Sequence, residues 1–129
     1  MRILQIDHVN IRTPIFEETL DFYERCFGFK RGPAASASGR KQNVWLYTPD
    51  GAPLIHVNGP KPDEEVAEAG ALSRLHHIAL ACEGLPAWRA RLDGEGVAYT
   101  QARLQGRDVT QINVIDPNGI LVELNFNEL

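Results

Sequence analysis

Cysteine is scarce. Cys26 and Cys82 are the only two in 129 residues, and no CxxC pair is present. That spacing argues against a disulfide framework, a zinc finger or a dithiol redox motif and suggests a reducing compartment. No apolar run approaches the roughly 20 residues that span a bilayer. The stretch Met1-Arg2-Ile3-Leu4-Gln5-Ile6-Asp7 loses its apolar character too soon for a signal peptide, so a cytoplasmic location is expected. Positive charge is also in deficit: 13 Lys and Arg face 17 Asp and Glu, a formal net charge of −4. Such a chain is a poor ligand for phosphate backbones, and neither nucleic acid nor membrane is an expected partner. There is no P-loop, and Gly94-Glu95-Gly96 lacks the third glycine of a dinucleotide fingerprint. What is present is a globular composition, 43% apolar and 23% charged. A chain of this length can bury roughly two thirds of its unfolded surface in one core.

Strands alternate with two helices. Gln5 to Ile11 is rich in β-branched residues and predicts a strand. Thr13 and Pro14 then suit the cap and first position of a helix on which Phe16, Leu20, Tyr23 and Phe27 recur at helical spacing, with Gly28 ending it. Lys30-Arg31 reads as a solvated strand start, and Gly32 to Gly39 as a loop of small residues. Val44 to Thr48 and Pro53 to Asn58 predict strands joined by the turn Pro49-Asp50-Gly51. Gly59 to Gly70 reads as a linker with a short helix at its end, in which Asp63-Glu64-Glu65 would be a solvated helix start. The second half repeats the order. Leu75 to Cys82 is a strand, Leu85, Trp88 and Leu92 mark a helix between Pro86 and Gly94, and strands follow at Val97 to Gln101, Val109 to Ile115 and Ile120 to Phe126.

The chain therefore carries an internal repeat with an offset of about 68 residues. Asp7-His8-Val9-Asn10-Ile11 aligns with His76-His77-Ile78-Ala79-Leu80, Gly28-Phe29 with Gly96-Val97, and Pro49-Asp50-Gly51 with Pro117-Asn118-Gly119. Each half reads βαβββ: a first module over about 1–58, the linker 59–70 and a second module over about 71–129, within one domain. Alternation along the strands then points to chemistry, because successive side chains face opposite sides of a sheet. Ile6, His8 and Asn10 share one face, as do Leu54, His56 and Asn58, His77, Ala79 and Ala81, and Leu121, Glu123 and Asn125. In all four strands the other face is nearly pure hydrocarbon. Glu123 sits inside Leu121-Val122-Glu123-Leu124, where an unpaired buried carboxylate would be costly; a metal or an arginine would compensate it. His76 has the opposite parity to His77 and reads as structural.

The segments DHVNI, HHIAL and DPNGILVELNF, on this repeat, resemble the vicinal oxygen chelate (VOC) superfamily of glyoxalase I, type I extradiol dioxygenases, fosfomycin-resistance enzymes and bleomycin-binding proteins. The resemblance implies an α+β fold of two tandem βαβββ modules forming an incomplete eight-stranded, barrel-like mixed sheet, in a chain that forms a homodimer. It also implies metal ligands at His8, His77 and Glu123, with His56 at a fourth place where the glyoxalase I pattern usually has Glu. The metal would be a divalent ion, with Fe, Mn, Ni, Co and Zn all compatible.

Three neutral imidazoles and one carboxylate would leave a divalent ion with excess positive charge, which favours an anionic small-molecule substrate. Two His and one Glu without His56 would form the facial triad of non-haem iron oxygenases. His56 is thus a ligand, a catalytic base or a substrate contact. Tyr47 is a candidate acid or substrate anchor. Asn10, Trp45, Gln111, Asn113, Asn125 and Arg107 are candidate pocket residues; Arg40 and Arg103 default to solvated surface. The expected function is a metal-dependent enzyme with ring-cleaving dioxygenase or isomerase/lyase chemistry. The alternative is a metal-free, drug-sequestering binding protein of the bleomycin-resistance kind. Retention of all three ligand types, and a net charge of only −4, weigh against that alternative.

Overall fold

The computed structural model describes residues 1–2, 4–34, 39–68, 70–71, 76–104 and 108–127. The chain forms two compact units, Met1–Ala69 and Gly70–Leu129. The first holds β1 (Val9–Arg12), α1 (Phe16–Phe27), β2 (Lys30–Pro33), β3 (Asn43–Tyr47) and β4 (Pro53–Asn58). The second holds β5 (His77–Cys82), α2 (Leu85–Gly94), β6 (Tyr99–Leu104), β7 (Val109–Ile115) and β8 (Leu121–Phe126). Each unit is a βαβββ module with one open four-stranded mixed sheet, ordered β1-β4-β3-β2 in the first and β5-β8-β7-β6 in the second. In each, the first and last strands pair in parallel and the rest are antiparallel.

Alternation decides which face is core. In the first module Ile11, Leu46, Ile55 and Val57 are buried, as is the α1 stripe Phe16, Leu20, Tyr23 and Phe27. Fully burying a side chain of this size contributes about 1.5–3 kcal/mol. Tyr23 anchors an aromatic cluster, with Phe22, Phe27 and Phe29 ring centroids at 5.8, 5.5 and 6.0 Å. In the second module Ile112, Val114, Val122, Leu124 and Phe126 form the corresponding layer. There α2 buries chiefly Leu92, while its Trp88 ring meets Phe126 at 6.4 Å. Both helices end alike. Gly28 and Gly96 adopt positive φ (72° and 67°), and the following amides, of Phe29 and Val97, return to the carbonyls of Tyr23 and Leu92.

Three local expectations are corrected. Strand β1 starts at Val9 rather than Gln5, so His8 precedes the ladder. Its pairing with the parallel strand β4 begins at Val9 and Ile55. Thr13 does not cap α1: its amide donates to the Asn58 carbonyl at 2.9 Å, which keeps it extended and delays the helix to Phe16. Its hydroxyl instead accepts from the Ile15 amide at 3.1 Å. The linker holds no helix among its described residues.

Candidate metal centre

The polar face of the first sheet is built in rows. Register places Asn10, His56 and Trp45 side by side on β1, β4 and β3, and Arg12, Asn58 and Asn43 in the next row. His56 is only 9% exposed. Its ring stacks on Trp45 at 4.9 Å with an interplanar angle of 5°. Its Nε2 lies 2.6 Å from Asn43 Oδ1. An amide oxygen only accepts, so Nε2 carries the proton and Nδ1 keeps the lone pair. Burial, then the nearby His8 and Arg12, push its pKa below the ordinary histidine value. The ring is therefore neutral at pH 7.

Asn10 holds the strand pair together, its Nδ2 donating to the His56 carbonyl at 3.0 Å. His8 meets the Trp45 ring edge-on at 4.5 Å and lies 6.4 Å from His56. Its Nδ1 contacts Asp7 Oδ2 at 2.6 Å, an arrangement that orients the imidazole and leaves Nε2 as its open donor atom. Tyr47 lies on the same face, beyond Trp45. Its ring covers Gly32, where an added Cβ would come within 2.3 Å of Cε2. That close approach explains a glycine inside β2.

The second sheet repeats the plan. Ala79 and Glu123 are cross-strand partners on β5 and β8, as are Asn113 and Glu123 on β7 and β8. Glu123 is 17% exposed, and its Oε1 lies 3.9 Å from His77 Nε2. Its Oε2 accepts from Gln111 Nε2 at 2.8 Å, and the same amide reaches Asn125 Oδ1 at 3.1 Å. One carboxylate oxygen is thereby satisfied and the other faces the histidine. Asn113 Oδ1 is buried without a hydrogen-bond partner among the described residues. His76, which parity assigns to the opposite face, precedes β5, and its Nδ1 meets His77 Nδ1 at 3.0 Å.

The structure thus brings His8, His56, Asn10 and Trp45 together in one module, and His77, Glu123, Gln111, Asn113 and Asn125 in the other. Among the described residues of either module, no three His, Cys, Asp or Glu side chains gather into a metal-holding group. Arg107 lies outside the described residues.

Arg40 and Arg31 depart from the solvated reading, whereas Arg103 stays at the surface. Arg40 is 9% exposed and grips Glu64, a residue expected on a solvated helix start. Arg31 binds Glu17, Asp21 and Glu24, the exposed face of α1. Arg103 pairs with Asp108 at the surface. The i, i+4, i+7 acids on α1 could have signalled the Arg31 site, and parity alone puts Arg12 on the histidine face. Glu64 carries no such signal.

The sequence matches the family model of the Glyoxalase/Bleomycin resistance protein/Dioxygenase superfamily over residues 5–124. With this coverage and two βαβββ modules, the chain belongs to that superfamily. Among solved structures it is similar to a glyoxalase-family protein of Bacillus anthracis (23% identity, TM-score 0.75, covering 99% of this chain and 100% of that one). It is also similar to the fosfomycin resistance protein FosX of Listeria monocytogenes (17%, TM-score 0.68, covering 99% and 97%). A third likeness is to lactoylglutathione lyase of Agrobacterium tumefaciens (16%, TM-score 0.67, covering 95% and 92%). At these identities the likeness is one of fold. No curated protein matches the chain by sequence.

Proteins of this superfamily commonly use a divalent metal, and the donors fit one in kind. Glu123 keeps Oε1 beside His77 Nε2 while Gln111 satisfies Oε2. His8 keeps Nε2 while Asp7 holds Nδ1. Such outer partners are typical of ligating carboxylates and imidazoles.

Proposed function

We propose that the chain is a divalent-metal enzyme acting on a small anionic substrate, with His8, His77 and Glu123 as metal ligands and His56 as the residue that handles the proton. The observation that carries this reading is the His77–Glu123 pair. It sets an imidazole nitrogen 3.9 Å from a carboxylate oxygen, on a face that also carries Ala79, Gln111, Asn113 and Asn125. The first module offers His8 and His56 on its own polar face. A bound divalent ion would supply Lewis-acid polarisation of a substrate oxygen.

The rest of the work falls to side chains. His56 is neutral, presents Nδ1 as a base and is locked in its tautomer by Asn43. Trp45 fixes the plane of that imidazole by stacking. The two-imidazole, one-carboxylate donor set would leave a divalent ion with net positive charge, which favours substrates that arrive with negative charge.

The reading is tested with metal-loaded protein given catechols under O2 and, separately, hemithioacetals of 2-oxoaldehydes. Turnover of one class is expected, with His56→Ala lowering kcat by about 100- to 10,000-fold while metal content stays at the wild-type level. Tight reversible binding of these compounds with no turnover of either class would overturn the enzyme reading in favour of a sequestering protein.

A further inference from the structure

One row beyond His56, on the same face of the first sheet, Arg12 and Arg40 close on a single carboxylate. Arg40 binds Glu64 through both ends of its fork, Nη1 to Oε2 at 2.5 Å and Nη2 to Oε1 at 2.9 Å. Arg12 Nη1 adds a third bond to Oε1 at 2.6 Å, and the Lys61 amide donates to Oε2 at 3.0 Å. This is the planar, bidentate geometry with which arginine recognises carboxylates.

Both guanidiniums are also held by groups other than Glu64. Arg12 Nε donates to Asn58 Oδ1 at 3.1 Å, and Arg40 Nη1 donates to the Gly59 carbonyl at 2.9 Å. The fork is preorganised by the end of β4. Its present guest comes from the linker, a segment without helix or strand over its described residues. Arg12 and Asn10 share a face two residues apart, so Arg12 is rooted one row, roughly 7 Å along the sheet, from the Asn10–His56 row.

We propose that Arg12 and Arg40 form the binding subsite for a remote carboxylate of the substrate, and that Glu64 occupies this subsite as an internal stand-in until the substrate displaces it. The proposal rests on the reading of this face as the substrate site and narrows its substrate class. The substrate is a small organic acid with a carboxylate remote from the group handled by His56. Glu64 competes with it, so apparent affinity is scaled by the fraction of molecules in which Glu64 is released.

The test is calorimetric titration of succinate, at fixed ionic strength, into full-length protein stripped of metal by chelation. Glu64→Gln should bind succinate about tenfold or more tightly than wild type, and adding Arg12→Gln should abolish the gain. In wild type, saturating succinate should also accelerate hydrogen exchange of the Lys61 amide, which loses its acceptor when Glu64 leaves. Equal affinity in wild type and Glu64→Gln, or a gain that survives Arg12→Gln, would overturn the proposal. Unchanged Lys61 exchange at saturation would do the same. Because no metal is present, this outcome is independent of whether the chain proves to be a metalloenzyme.

Discussion

Glu64 shows how much one side chain can tie together. Its carboxylate joins Arg12, which is 52 positions away, to Arg40 and to the Lys61 amide. The Arg40 bonds, then the Lys61 amide, hold its pKa down to about 2 from an ordinary 4.5. Between those values the unfolded chain takes up a proton that the folded chain refuses. The contribution to stability is therefore complete above about 4.5 and is lost as the pH falls towards about 2. Melting curves between pH 5 and 2.5 should show wild type losing Tm more steeply than Glu64→Gln; parallel curves would contradict the assigned contacts. None of this was legible in the sequence. A loop residue has no periodicity to reveal its face, and Asp63-Glu64-Glu65 looks like any solvated acidic run. The shared polar faces were legible because strand alternation sets His56, His77 and Glu123 on the polar side of their strands. His8 shows the limit of that reading: its parity was right, although it lies outside the strand.

At the scale of elements, register does the positioning. The β7–β8 pairing sets Gln111 opposite Asn125 and Asn113 opposite Glu123, so one amide can bridge Glu123 and Asn125. Gln111→Leu should leave the sheet folded but free Glu123 from its fixed rotamer. Divalent-metal affinity, measured by competition with a chromophoric chelator, should fall about 10- to 100-fold. An unchanged affinity, with the fold verified by circular dichroism, would remove Gln111 from any orienting role. The strands of this pair were read closely from sequence, Val109 to Ile115 matching β7 and Ile120 to Phe126 exceeding β8 by one residue. The Asp116 carboxylate fixes the turn between them, accepting from the Asn118 and Ile120 amides at 2.9 and 2.8 Å. Boundaries failed where a neighbour outweighed local preference. The Asn58 carbonyl draws Thr13 out of the helix cap.

For the whole molecule, the repeat was the most informative feature of the sequence. It gave two βαβββ modules, and with them two corresponding polar faces. What it could not reveal is which side chains finish each face. The Arg12–Arg40–Glu64 cluster has no counterpart in the second module's Gln111–Asn125–Glu123 amide array, because these residues lie outside the matched motifs. The central claim is that His8, His77 and Glu123 are ligands of a divalent ion. Elemental analysis of untagged protein, beside Glu123→Gln and His56→Ala variants, tests it most directly. The account predicts near-stoichiometric iron, manganese, nickel, cobalt or zinc in wild type, its loss in Glu123→Gln and its retention in His56→Ala. Wild-type protein that stays empty after reconstitution with each of these metals would contradict it.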